Sequence, residues 1–184
     1  MTKNDPKTKK ACFTGHRKEG LPFGADESRE ECRKLISLLE EQIERLYNEK
    51  GVRVFISGMA LGTDQIAAEA VIRFRETHKD VVLVAALPCT DQCKSWKMAE
   101  QDRYHGILAL ADHVYTLEPE YVDGCMLARN RFMVNNCEYV IAVWNGKRIG
   151  GTWSTVSYAR SNNRTLTIIN PVTFDVTEEK KKIQ

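Results

Sequence analysis

Residues 81–87 read Val81-Val82-Leu83-Val84-Ala85-Ala86-Leu87, seven apolar side chains with no polar break. Strict alternation would mark a strand with one wet face, whereas an unbroken run of this length marks a strand covered on both faces. Working outward, the same reading applies to Glu138–Trp144 (EYVIAVW), and shorter runs at Lys10–Thr14, Val52–Ser57, Asp112–Leu117 and Thr165–Ile169 complete a set of strands. Helical stretches lie between them. From Glu27 to Lys50 the apolar residues Cys32, Leu35, Ile36, Leu39, Ile43, Leu46 and Tyr47 follow helical spacing, and Gly51 is a natural stop. Gly62–Phe74, Asp91–Ala111, Gly124–Asn136 and Gly151–Asn162 read as further helices, that over Asp91–Ala111 weakened by Gly106. Strand–helix units of this length predict an α/β domain: a mostly parallel sheet of about six strands flanked by helices.

The expected boundaries are one domain over residues 10–172, a frayed tail at 1–9 and another at 173–184. The chain has 184 residues, 42% of them hydrophobic, enough to bury one core. Its 27 Lys and Arg against 25 Asp and Glu leave a formal charge of +2, which argues against a dedicated polyanion binder. No apolar run reaches the ~20 residues of a membrane helix, and the start MTKNDPKTKK lacks a signal-peptide core, so a soluble, cytoplasmic protein with no membrane partner is expected. Of the six cysteines (12, 32, 89, 93, 125 and 137) only Cys89 and Cys93 are close, and no second pair or nearby His completes a zinc set. Buried, reduced thiols are expected, with no metal and no cofactor.

In such a sheet, ligands bind beyond the carboxyl ends of the strands. The loop after the first strand is Thr14-Gly15-His16-Arg17: a glycine admits an anion to backbone amides, and Arg17 supplies a fixed positive fork. After the second strand comes Ser57-Gly58-Met59-Ala60-Leu61-Gly62-Thr63-Asp64, two glycines leading into a helix whose free amides favour phosphate. Its spacing matches neither the dinucleotide fingerprint nor the Walker loop. The bland alternative is tight strand–helix packing, with Asp64 as a first-turn acid. After the fifth strand, Trp144-Asn145-Gly146 and then Gly150-Gly151-Thr152-Trp153-Ser154-Thr155 repeat the phosphate-cradling chemistry. Arg129-Asn130-Arg131 lies just upstream on a helix, where an arginine serves solubility or a salt bridge as readily as a ligand. Leu87-Pro88-Cys89-Thr90 leads to Trp96, which could stack on a base or belong to the core.

TGHR, SGMALGTD, ALPC, CMLARNRFMV and GTWSTVSYA, in that order over residues 11–170, resemble the YpsA-like branch of the SLOG superfamily. SGMALGTD also resembles the SGxAxGxD loop of the DNA-processing protein DprA. The resemblance implies a Rossmann-like fold and binding of nucleotides or molecules derived from them. Some members are LOG phosphoribohydrolases, others are sensory domains. The LOG motif runs Arg-Lys-x-x-Met, then a strand, then Gly-Gly-x-Gly-Thr-x-x-Glu. Arg129 and Met133 match the first part while Asn130 replaces the Lys. Gly151 and Thr152 match Gly-Thr, while Thr155 stands where the Glu is expected. Cleaving an N-glycosidic bond needs a carboxylate and a base, and a threonine is neither.

The resulting expectation is a protein that holds a nucleotide or nucleotide-derived signal (a cyclic nucleotide or an ADP-ribose-like molecule) without turnover, as sensor or sequestering protein. No catalytic residue is assigned. Phosphates would rest on the amides of Ser57–Gly62 and Gly151–Thr155 with Arg17 and Arg129 as charge partners, and Trp96 or Trp144 would face the base or ribose. A LOG-like hydrolase using Asp64, Asp91 or Asp123 is the first alternative. DprA-like single-stranded DNA binding is the second, with nucleic acid disfavoured by the near-neutral charge and the lack of basic–aromatic alternation. Likeness to LOG enzymes implies a homo-oligomer.

Overall fold

The computed structural model describes residues 8–180. Seven strands form one sheet: β1 (Lys9–Gly15), β2 (Val52–Ser57), β3 (Val82–Cys89), β4 (His113–Glu118), β5 (Tyr139–Val143), β6 (Thr165–Ile169) and β7 (Val176–Glu179). Five helices connect them: α1 (Glu30–Lys50), α2 (Thr63–Arg75), α3 (Met98–Leu110), α4 (Cys125–Asn135) and α5 (Gly150–Ser161). The strand order is β4-β3-β2-β1-β5-β6-β7, parallel except for β7 against β6, as in a Rossmann-like α/β domain.

Both faces of the sheet are covered, which is why its central strands lack alternation. Phe13, Phe55, Leu83, Ala85, Ile141 and Val143 point into a core closed by α1, α2 and α3. Their neighbours Cys12, Ile56, Val84, Ala86, Val140 and Ala142 point into a second core under α4 and α5. The long helix α1 buries Cys32, Leu35, Leu39, Ile43 and Leu46, and Gly51 ends it at φ 72° with its N–H on the Leu46 carbonyl. All six thiols are buried and none is in a disulfide.

Three expected boundaries change. The segment 173–184, read as a tail, contributes β7, whose polar run VTEE hides its pairing from a hydrophobicity reading. Its side chains explain the pairing, since Glu178 meets Arg45 at 2.6 Å and Glu179 meets Arg160 at 2.7 Å. Residue 9, read as part of the N-terminal tail, already belongs to β1, while 1–7 and 181–184 lie outside the described residues. The helix expected over 91–111 begins only at Met98, because residues 91–96 fold back in turns closed by Lys94 N–H on the Asp91 carbonyl and Trp96 N–H on the Cys93 carbonyl. Gly106 leaves the helix undivided.

Candidate functional site: a cleft at the switch point of the sheet

From β1 the chain winds toward β4, and from β5 it winds the other way. The carboxyl ends of these two adjacent strands therefore open a crevice between diverging loops. A cleft of about 390 Å³ lies there, lined by Thr14, Gly15, His16, Arg17, Glu19, Gly20, Ala60, Asp64, Met126, Arg129, Asn130 and Ile149–Thr152. Exposed Arg17 stands at its mouth, and no carboxylate among the described residues forms an ion pair with it. Burial lowers the basicity of the His16 ring, and its Nε2 accepts the Asn145 N–H at 3.2 Å, tying the β1 and β5 loops together.

The floor is the β2–α2 loop, whose polar groups satisfy one another. The Ser57 hydroxyl donates to the Asp64 carbonyl at 2.7 Å and accepts the Met59 N–H at 3.1 Å, holding Met59 in the left-handed region at φ 60°. The Ala60 N–H reaches the Asp64 carboxylate at 3.3 Å, and the Thr63 N–H and hydroxyl both go to the His16 carbonyl. Arg129, only 3% exposed, donates to the Gly58 and Ala86 carbonyls and to Asn130 Oδ1, and lies 3.8 Å from the Asp64 carboxylate. Burial pushes the Asp64 carboxyl above its ordinary range, against the opposing pull of Arg129, the Ala60 N–H and Arg17. A buried pair of this kind fixes geometry more than it adds stability.

The opposite wall is the start of α5. Gly150–Thr152 line the cleft, and because the flanking residue Ile149 makes no side-chain cap, their first-turn amides have neither intrahelical partners nor a capping side chain. Thr155 is turned away from it: buried, it returns its hydroxyl to the Gly151 carbonyl at 2.9 Å.

A smaller lobe of about 290 Å³ adjoins the cleft and shares Arg17, Ala60 and Met126 with it. Trp96 and Tyr121 supply aromatic wall, and Cys89, Asp91, Gln92, Lys94 and Ser95 complete the lining. Burial, with the neighbouring Asp91 carboxylate and Cys125, pushes the Cys89 thiol up to about 12.

Of the residues singled out in the sequence, Thr14, Gly15, His16, Arg17, Asp64, Arg129, Asn130, Gly151 and Thr152 line the cleft, and Trp96 lines the lobe. Ser57, Gly58, Met59 and Gly62 lie in the loop beneath, and Pro88 is buried at the end of β3. Asn145 acts through His16, whereas Trp144 lies in the second core, stacked on Trp153 at 5.5 Å with its indole N–H on the Lys147 carbonyl. Ser154 is not among the cleft-lining residues. The sequence reading missed Glu19, Gly20, Met126 and Ile149 in the cleft and Gln92, Lys94, Ser95 and Tyr121 in the lobe. The position of Gln92 one residue after the loop Leu87–Thr90 and Asp91 was the available signal.

Strand order and crevice define an α/β domain of the Rossmann-like class. The family model described as the YspA SLOG family (YpsA) matches residues 11–175, and the chain belongs to that family. An uncharacterized SPbeta prophage-derived protein of Bacillus subtilis, YoqJ, is 30% identical over 139 residues, covering 69% of this chain and 78% of its own. Among solved structures, DprA from Streptococcus pneumoniae superposes with a TM-score of 0.60 at 20% identity, over 92% of this chain and 53% of that one. DprA from Helicobacter pylori, whose structure was described for its single-stranded DNA binding mode, gives 0.56 at 21%, over 87% and 64%. The chain thus spans little more than half of one DprA and under two thirds of the other, and the likeness concerns the fold. Among the described residues no helix is long and apolar enough to cross a membrane.

Proposed function

We propose that the cleft between the β1 and β5 loops binds the phosphate of a nucleotide or nucleotide-derived signalling molecule, of the cyclic-nucleotide or ADP-ribose class, and holds it without turnover. The observation that carries this reading is the pairing of opposite walls: unpaired Arg17 on one side and the open amides of Gly150–Thr152 on the other. A helix N-terminus and a free guanidinium facing one cavity are complementary to a phosphate in both charge and hydrogen bonding. Thr155 supports the holding role, since its hydroxyl is spent on the Gly151 carbonyl and it supplies no carboxylate.

One observation favours a second reading, a LOG-like N-glycoside hydrolase. Asp64 lines the cleft, and burial raises its carboxyl, as suits a general acid. Calorimetry with AMP, cyclic AMP and ADP-ribose on wild type and Arg17→Ala tests the first. Removing one charge-assisted contact costs about 1.5–3 kcal/mol, roughly tenfold to a hundredfold in affinity. The expected result is that loss, with the ligand recovered intact by chromatography. Unchanged affinity overturns the phosphate assignment. Multiple turnovers that vanish in Asp64→Asn replace holding by hydrolysis. A complex with single-stranded DNA that is tighter than any nucleotide complex and weakens steeply with salt makes nucleic acid the ligand.

A further inference from the structure

One buried guanidinium orients two groups of the cleft. Arg129 Nε donates to Asn130 Oδ1 at 2.8 Å, which fixes that amide, because turning it over would set a donor against a donor. Asn130 Nδ2, with its two N–H donors, is left over. On its other side the guanidinium lies 3.8 Å from Asp64 Oδ2, the oxygen that also accepts the Ala60 N–H at 3.3 Å. Asp64 Oδ1 is left over from the network of the floor. Both residues line the cleft, and the buried Asp64 side chain keeps 8% of its surface. The polar side-chain atoms sealed from solvent without a partner belong, among the described residues, to Asp91, Gln92, Tyr104 and Arg164. Asp64 Oδ1 and Asn130 Nδ2 are not among them and make no hydrogen bond within the described residues, so their free surface opens on the cleft. The hydroxyls of Thr14 and Thr152, two further buried residues of the lining, are likewise unspent and unsealed.

A phosphate dianion offers only acceptors, so it suits Arg17, the α5 amides and the threonine hydroxyls, but not a carboxylate oxygen. Asp64 Oδ1 therefore marks the place of a donor in the same cavity, and Asn130 Nδ2, held by the same guanidinium, marks an acceptor. A hydroxyl is both at once. In a nucleotide the sugar hydroxyls stand on the ring next to the phosphate, whereas the edge of the base lies beyond it. We infer that the cleft reads a sugar hydroxyl of the ligand, which donates to Asp64 Oδ1 and accepts from Asn130 Nδ2, with Arg129 as the positioning residue for both. The inference rests on the phosphate reading and narrows its ligand to a phosphorylated sugar with a free hydroxyl. Internal nucleotides of single-stranded DNA carry none. A site built to hydrogen-bond a hydroxyl discriminates strongly against the analogue lacking it, because its own buried polar groups are then stranded.

Titration of the whole chain with GMP, 2′-deoxy-GMP, 3′-deoxy-GMP and IMP, and with inorganic phosphate followed at the Gly150–Thr152 amides, tests this. The expected result is that one deoxynucleotide binds about tenfold or more weakly than GMP, which names the hydroxyl. Asn130→Ala should shrink that deficit to about threefold or less. An undiminished deficit in a normally melting Asn130→Ala overturns the paired reading. GMP and both deoxynucleotides binding alike to wild type overturns the inference while the phosphate reading stands, and a deficit confined to IMP gives the donor and acceptor to the base edge instead. Inorganic phosphate binding with no nucleotide bound also overturns the inference alone. Binding of neither phosphate nor any nucleotide overturns both readings. The ligand series on wild type decides the matter even where Asn130→Ala folds poorly.

Discussion

The two glycine-rich loops read alike in sequence, yet they are built for opposite purposes. Around Gly58 and Gly62 the space is full. A Cβ on Gly58 would collide with the Arg129 guanidinium and lie 2.7 Å from the Asp64 carboxylate. One on Gly62, at φ 94°, would lie 2.7 Å from the Lys18 amide nitrogen. Around Gly150 and Gly151 an added Cβ meets nothing within 4 Å. The first loop therefore uses its glycines for close packing, and its Met59, Ala60 and Thr63 amides and its Ser57 and Thr63 hydroxyls are already committed to Ser57, Asp64 and the His16 carbonyl. At the second loop the backbone itself is accessible. Glycine beside a helix start is thus compatible with either role, and the neighbouring side chains decide which.

That contrast is broken most directly by adding a methyl group to each loop. Gly58→Ala is expected to displace the Arg129–Asp64 pair, and overpacking with a disturbed buried charge costs roughly 3 kcal/mol or more. For a chain of this size the melting temperature should fall by about 6–12 °C, read by calorimetric or circular-dichroism melting. Gly151→Ala, its counterpart, should melt within about 0.5 kcal/mol of wild type while weakening nucleotide binding. Equal stability of the two variants would remove the distinction between floor and wall.

A smaller effect is expected from pH. The neutral His16 ring accepts the Asn145 N–H, and burial holds its basicity below the ordinary value of 6.5. The unfolded chain therefore takes up the proton before the folded one does. Stability is complete above pH 6.5 and declines as pH falls from there through the lower folded value. Melting curves between pH 7.5 and 5.5 should show the decline, and subtracting those of His16→Gln should remove the part due to this ring. A His16→Gln profile identical to wild type would mean that the link between the β1 and β5 loops carries no stability.

Much of this architecture was legible in the chain because its causes are local. The runs at 81–87 and 138–144 lie under helices on both sides, so hydrophobicity alone marks them. Residue types at the strand ends likewise placed Arg17, Asp64, Gly151 and Thr152 around one crevice. What escaped depends on contacts distant in sequence. β7 is held by Arg45 and Arg160, residues 133 and 19 positions from their partners Glu178 and Glu179. The turns over 91–96 look helical by composition, but they close the smaller lobe and carry Asp91 and Gln92 into it. Trp144 follows a strand and so reads as a candidate for the base, yet its rotation into the second core is decided by Trp153 and by Arg160, whose guanidinium lies 5.4 Å from its ring.

The central claim, that the open amides at the start of α5 receive a phosphate while the β2–α2 loop serves as the structural floor, is tested by amide-resolved NMR titration with GMP. Saturating shifts concentrated at Gly150, Gly151, Thr152 and Arg17, with Gly58 and Met59 little moved, are the result this account predicts. Shifts centred on Gly58–Gly62 with the α5 amides unmoved, or shifts confined to the outer faces of the helices, would contradict it.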